Sequence, residues 1–263
     1  MLVDYLQRGV LAGVVAGLAY GLYVAFVANP LTEYVHDAGH DHAGHGHGHG
    51  HGHGHGAGDH SHAQEGAEHV VSETTTALVS VGSGVLWAIL LGGLFAVALY
   101  LFEPALPGRD GLESYVLAGA GFLTVSATPW LVVPPAAPGA DHLYGIDARI
   151  GIYVGLVVLG AAVSAAAILA YGRAAPRHPA LGALAAAVPI VATAVVLPAV
   201  TPTVVTQPDV AGELVTAYQA LAALSQAAIW VLIAGAFNRL QRRADPTVDA
   251  ADADSHDQLT ASP

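Results

Sequence analysis

The chain has 263 residues, of which 54% are hydrophobic and only 11% are charged, and its formal net charge is −12 at pH 7. The apolar residues come in long blocks, which is typical of an integral membrane protein. All eight basic residues are arginine, too few for a nucleic-acid binder, and the absence of lysine excludes a P-loop ATPase and Schiff-base chemistry. The absence of cysteine excludes disulfides and thiolate metal sites.

The first apolar block covers residues 9–28 and ends at Asn29-Pro30. About 20 apolar residues span a bilayer as a helix, so we predict an N-terminal unit, residues 1–28, that contains one retained transmembrane helix. A signal peptide is the alternative, but its apolar region would be shorter, and no small-x-small cleavage site follows the block. Glycines at every fourth position from 9 to 21 permit close helix packing, unless they only reflect abundant glycine.

The histidine tract, residues 36–69, holds twelve of the fifteen histidines and alternates Gly and His over residues 44–56. Neutral imidazole binds divalent transition metals, and this composition cannot build a packed core. We therefore predict a disordered, extracellular, metal-binding loop over residues 29–76. A passive low-complexity linker is the alternative, whereas the internal position argues against a purification tag. The predicted ligands in the tract are His36, His40, His42, His45, His47, His49, His51, His53, His55, His60, His62 and His69.

Five further apolar blocks cover residues 77–102, 114–133, 150–171, 180–199 and 214–237. We predict a five-helix membrane domain over residues 77–243, followed by a disordered, acidic, cytoplasmic tail over residues 244–263. The predicted fold class is an all-α integral membrane protein with six transmembrane helices; five spans are the alternative. If the N-terminus is cytoplasmic, seven of the eight arginines lie inside and only Arg149 lies outside, as the positive-inside rule requires.

The six blocks contain no Asp, Glu, His or Arg, so the ionisable groups of a self-contained proton-coupled exchanger are missing from them. Their polar side chains are predicted either to line a cavity or to form hydrogen bonds between helices; they include Ser126 and Thr128 before Pro129, and Gln219 and Gln226 in the last block. No metalloprotease motif and no nucleophile elbow occurs, so we predict that the protein is not an enzyme.

Asp141 and His142 lie in the second outer loop, close in sequence to Asp147. Carboxylate and imidazole are ligands for divalent transition metals. We predict that Asp141 and His142 receive an ion from the histidine tract, with an ordinary solvated loop as the alternative.

The region around the third block carries a recognisable pattern: Gly121-Phe122, Pro129, Pro134-Pro135, Pro138-Gly139 and Arg149. This pattern resembles the CbtA family of probable cobalt transporter subunits. So do the glycine-rich first block, the proline in the fifth block, and Gly212-Glu213-Leu214 before Trp230. The resemblance implies uptake of cobalt for cobalamin synthesis, together with a small single-span membrane partner, CbtB. Two residues depart from the family pattern, because Ala136 and Ala199 stand where many members have an acidic residue and a histidine.

The first hypothesis is therefore a multi-pass cell-membrane subunit of a divalent-metal uptake system, in which the histidine tract captures the ion. The resemblance implies Co²⁺ as that ion, while imidazole ligands accept Ni²⁺ or Zn²⁺ as well. Energy coupling is expected from another component, since the blocks lack charged groups. The second hypothesis is a membrane-anchored metal buffer or sensor without transport. The acidic, lysine-free composition resembles that of halophilic archaea.

Overall fold

The structure, a computed structural model, describes residues 2–35, 73–108, 111–137, 140–202, 204–207 and 211–244. Helix α1 is Leu2–Val35 and α2 is Glu73–Phe102. Segment α3 is an α-helix over Leu112–Phe122, continues through a π-turn at Leu123–Ala127 and ends with Thr128–Trp130. Helices α4, α5 and α6 are Ile146–Ala174, Pro179–Val200 and Gly212–Ala244. Two short strands, β1 (Asp141–His142) and β2 (Val205–Thr206), pair antiparallel.

Five helices in the described part of the chain are long and apolar enough to cross a membrane. They are α1, α4, α5, α6 and the stretch Leu78–Ala105, which contains most of α2. The prediction of an all-α membrane protein is confirmed at this level. The third predicted span, residues 114–133, corresponds to α3, which is not among the five. Segment α3 is less apolar because its buried faces contact protein: Ser114, Ala118, Ser126 and Thr128 are all buried.

Helix α1 does not end at Asn29-Pro30 but continues to Val35. A proline inside a helix removes a backbone donor and normally breaks or kinks it. Here a π-turn, Val24–Ala28, directly precedes this dipeptide, and such a turn absorbs the local misfit. The Asn29 amide nitrogen donates to Ser80 Oγ at 3.1 Å on α2, and the Thr32 hydroxyl donates to the Ala28 carbonyl at 2.8 Å. The first bond ties this point of α1 to α2, and the second lies within α1 where the backbone ladder is weakened.

The four regularly spaced glycines of α1 all face α2. A Cβ atom at Gly17 would lie 2.6 Å from Val85 Cα, and one at Gly21 would lie 2.8 Å from Val81 Cα. Gly9 and Gly13 meet the α2 backbone at Gly92 and Ala88 in the same way. The predicted close packing is confirmed, since any side chain at these positions would separate the two backbones.

The helices pack side by side in the order α2, α1, α6, α3, α4, α5, which differs from their order in the chain. The main core lies among α1, α2, α3 and α6, with Phe95 and Phe237 fully buried and their ring centroids 5.7 Å apart. Tyr5 lies against Phe237 and donates to Glu103 Oε2 at 2.7 Å. We call this end of the bundle, where α1 begins and α6 ends, the terminal end.

The outward faces of the helices are as apolar as the core. Helix α5 is the extreme case: only Gly182 is buried, and Val188, Val191 and Val195 are each more than half exposed. A helix that is hydrophobic on its free side is typical of a membrane span, because that side contacts lipid. Small residues therefore mark the helix contacts, and large aliphatic residues mark the outer surface.

Candidate functional site

The end of the bundle opposite the terminal end carries a small cap. Strand β1 pairs with β2 so that Asp141 lies opposite Thr206, and the Leu143 amide donates to the Val204 carbonyl at 3.2 Å. Below the strands, Val132, Leu156 and Val204 form a separate buried apolar cluster. The two strands of the cap therefore pack against an apolar cluster formed by loop residues and α4.

Two glutamines hold the proline-rich loop to this cap. The Ala137 amide donates to Gln207 Oε1 at 3.3 Å, and Gln219 Nε2 donates to the Pro135 carbonyl at 3.3 Å. Neither residue of Pro134-Pro135 can donate a backbone hydrogen bond, so this segment cannot form the regular bonds of a helix or a sheet. Gln219 of α6 supplies a donor to the Pro135 carbonyl, and Gln207, directly after β2, supplies an acceptor to the Ala137 amide. Gln219 thus forms a hydrogen bond between two separate segments, which is the second of its two predicted roles. No role for Gln207 was predicted from the sequence.

The predicted metal ligands fall into two groups. The twelve histidines of the histidine tract lie outside the described residues. Asp141 is exposed and lies at the edge of the cap, and the backbone of His142 pairs with that of Val205. Among the residues that the structure describes, no three His, Asp or Glu side chains are close enough together to hold a metal ion. The proposed receiving site at Asp141 and His142 therefore remains a prediction.

Within the described spans, the buried polar side chains are all hydroxyls: Ser114, Ser126, Thr128, Ser164 and Ser225. The Thr124 and Ser164 hydroxyls lie 3.2 Å apart, and Ser164 also donates to the Ala120 carbonyl at 3.2 Å. Gly160 allows this approach, because a Cβ atom there would lie 2.9 Å from Thr124 Cα. The π-turn of α3 is thus joined to α4 by neutral hydrogen bonds.

Pro129 frees one backbone carbonyl of α3, since it cannot donate to Val125 four residues earlier. The sequence left open whether such a carbonyl faces a cavity or a neighbouring helix. The Tyr153 hydroxyl of α4 donates to the Val125 carbonyl at 2.7 Å, so the group serves contact between helices. The Thr128 hydroxyl beside it is buried and has no partner among the described residues. The Nε1 atom of Trp230 is likewise buried without a partner among the described residues. An unpartnered buried polar group costs about 1–3 kcal/mol.

Polar side chains connect α1 to α6 between the core and the cap. The Tyr23 hydroxyl donates to the Leu221 carbonyl at 3.4 Å. The side chains of Gln226 and Ser225 interact with the hydroxyls of Tyr20 and Tyr23. The spacing of Gln219 and Gln226 indicated a shared polar face on α6, but nothing in the sequence indicated that tyrosines of α1 meet it.

These features describe a multi-helix membrane bundle with a capped end and an interior of neutral hydroxyl and amide groups. Residues 2–242 match the family described as probable cobalt transporter subunit, CbtA. The chain belongs to the CbtA family. It is accordingly a multi-pass membrane protein from a family of transporter subunits. No curated protein and no solved structure matched the chain.

The first part of the pattern that carries the resemblance to CbtA proteins lies on α3 and in the loop that follows it. Gly121 packs against the Trp230 ring, and Phe122 meets Trp130 edge-on with ring centroids 6.4 Å apart. Farther along, the proline pair is the loop held by the two glutamines. In this CbtA chain the motif therefore connects the centre of α3 to the cap.

Proposed function

We propose that this CbtA chain is a membrane subunit of a divalent transition-metal uptake system, with Co²⁺ as its cargo and the histidine tract as its capture element. The observation that carries the proposal is the match to the CbtA family over residues 2–242. The chemistry of the chain agrees with this, because twelve imidazoles of the tract supply a dense set of ligands for such ions.

The position of the tract supports a capture role. The chain leaves α1 at Val35 and enters α2 at Glu73, at the same end of the bundle as the cap, because α1 runs antiparallel to both α2 and α6. An ion held by the tract is therefore released next to the surface that carries Asp141 and His142. We propose these two residues as the first ligands it meets on the membrane domain.

We further propose six membrane crossings with both termini cytoplasmic. Gly111, at the start of α3, lies against Asn238 near the end of α6, while Pro135 beyond α3 bonds to Gln219 near its beginning. The residues of α3 from Leu112 to Trp130 rise about 28 Å at 1.5 Å per residue, close to the hydrocarbon thickness of a bilayer. Segment α3 then crosses as an inner helix, packed between α6 and α4.

The natural absence of cysteine makes this topology testable. Single variants Ala105→Cys and Ala140→Cys flank α3, and Ala211→Cys precedes α6. In intact cells we expect a membrane-impermeant maleimide to label residues 140 and 211 but not residue 105, while all three react after the membrane is permeabilised. Equal labelling of residues 105 and 140 in intact cells would mean that α3 does not cross, and would leave five crossings.

The subunit needs other components. In the described helices, Asp, Glu and Arg lie near the ends, and the middle of each span carries none. A metal path driven by proton or ion exchange requires ionisable groups at that depth. We propose that a small single-span CbtB-like membrane partner, and an energy-coupling component, complete the transporter.

Radioactive cobalt uptake tests the function directly. Cells that lack their own high-affinity cobalt uptake and express the chain with its partner should accumulate Co²⁺ from a limiting supply, whereas cells that express either protein alone should not. Adding excess Ni²⁺ or Zn²⁺ as a competitor and measuring the remaining Co²⁺ uptake shows which of the three metals the system prefers. Binding of Co²⁺ to the purified chain without uptake under any combination would favour the second function, a membrane-anchored metal buffer or sensor, which the charge-free spans also allow.

A further inference from the structure

A half-open cavity of about 440 Å³ lies between α3, α4 and α5. It extends from Leu112 and Tyr171, near the terminal end, to Ser164 in the middle of α4. Helix α5 packs chiefly on α4, so the cavity is the space that separates α5 from α3. Its position is within the membrane-spanning depth of the bundle.

The lining excludes water and metal ions as stable occupants. It is almost entirely aliphatic or aromatic carbon, and the hydroxyl of Ser164 already bonds to Ala120 and Thr124. A buried water needs two to four polar partners, and a divalent transition metal needs imidazole or carboxylate. Neither set of partners lines this space.

The cavity is too small to enclose a transmembrane helix. An α-helix with side chains is about 10 Å wide and rises 1.5 Å per residue, so it fills roughly 120 Å³ per residue. The cavity would hold fewer than about four helical residues, far short of the ~20 needed to span a bilayer. A single flexible hydrocarbon chain, by contrast, matches both the elongated space and its apolar lining.

The charges near the terminal end of the cavity suit an anionic headgroup. Arg173 and Arg177 follow Tyr171 closely at the terminal end of α4 and are exposed. The Arg173 guanidinium donates to the Leu169 carbonyl at 3.4 Å. The carboxylate of Glu113, which follows Leu112 at the same end, is engaged by the Gly111 amide at 3.1 Å. Guanidinium groups bind phosphate well.

We propose that this cavity binds one hydrocarbon chain of an anionic membrane phospholipid, whose phosphate is held by Arg173 and Arg177. The chain fills the space between α3 and α5 and so couples α5 to the rest of the bundle. This lipid site does not depend on which metal the protein handles, or on whether the protein transports one.

Two glycines provide a matched test. A Cβ atom at Gly119 or at Gly155 would meet nothing within 4 Å, but only Gly119 lines the cavity. The full-length protein is stripped of lipid, incubated with 1-palmitoyl-2-oleoyl-phosphatidylglycerol or the matching phosphatidylcholine, and examined by native mass spectrometry. We expect the wild type and Gly155→Phe to retain one phosphatidylglycerol, and Gly119→Phe to retain at least tenfold less. The double variant Arg173→Gln/Arg177→Gln should lose the preference for phosphatidylglycerol over phosphatidylcholine.

Ala186→Phe fills the same cavity from α5 and is a second, independent test of the site. The helix content and the gel-filtration profile of each variant show whether it is folded. Equal phosphatidylglycerol retention by the wild type, Gly119→Phe and Ala186→Phe would overturn the proposal. A co-purified free fatty acid in place of a phospholipid would overturn it as well, as would the absence of any retained lipid on the wild type.

Discussion

Replacing Gly92 with valine is expected to disrupt the packing of α1 against α2 and to lower the stability of the folded protein. The Gly9 carbonyl occupies the space that a side chain at position 92 would need. A new Cβ atom there would also lie 3.0 Å from Gly13 Cα. Both neighbours are backbone, so neither can rotate away. Overpacking of this kind costs about 1–3 kcal/mol and sometimes more.

Gly82 is the matched control, since it lies on the same helix and a Cβ atom there meets nothing within 4 Å. In thermal unfolding of the purified protein, we expect Gly92→Val to lower the midpoint by several degrees and to reduce the yield of monodisperse protein. Gly82→Val should behave like the wild type within about 0.5 kcal/mol. Similar midpoints for the two variants would show that close backbone contact between α1 and α2 does not determine stability.

Deletion of residues 40–62 is expected to lower cobalt uptake about tenfold when the metal is scarce and to leave uptake at saturating metal unchanged. The reason is that the tract concentrates ions beside the cap but does not carry them across the bilayer. The effect should appear in the apparent KM for Co²⁺ rather than in the maximal rate. A variant in which the same histidines are replaced by serine keeps the length of the loop and serves as the control for its spacing. An unchanged KM in both variants would remove the capture role.

The same comparison should depend on pH. Only neutral imidazole binds metal, and an exposed histidine has a pKa of about 6.5. About nine-tenths of such side chains are therefore neutral at pH 7.5 and about one-tenth at pH 5.5. We expect the advantage of the wild type over the serine variant to be large at pH 7.5 and to vanish by pH 5.5, as measured by initial uptake rates at one limiting Co²⁺ concentration. An advantage that is independent of pH would point to the acidic residues of the loop instead.

The composition of the apolar blocks was enough to predict a helical membrane protein, and five of the six predicted spans coincide with long apolar helices. The third block, residues 114–133, was harder to recognise as a span, because α3 packs against both α6 and α4. A helix buried in protein tolerates hydroxyls such as Ser126 and Thr128, and its hydropathy falls for that reason. Hydropathy therefore recognises helices that face lipid better than helices that face protein.

For the candidate site, the sequence identified the residue types but not their partners. Histidine-rich composition predicts metal binding without any fold, and the glycine repeat of α1 correctly indicated a contact face. It did not reveal that Gly92 and Ala88 of α2 receive that face. The partners of Gln219 and Val125, which are Pro135 and Tyr153, lie 84 and 28 residues away in the chain. Such pairs leave no local pattern.

What the sequence by itself determined is therefore the class of protein, its apolar spans and its supply of metal ligands, because each depends on composition over about 20 residues. Only the tertiary structure decided which helices are neighbours, how α1 continues past Pro30, and that the freed carbonyl in α3 bonds to Tyr153. The physical reason is that lipid solvates every apolar helix face alike. The order of packing is then decided by close fits between small residues and by single hydrogen bonds between segments distant in the chain.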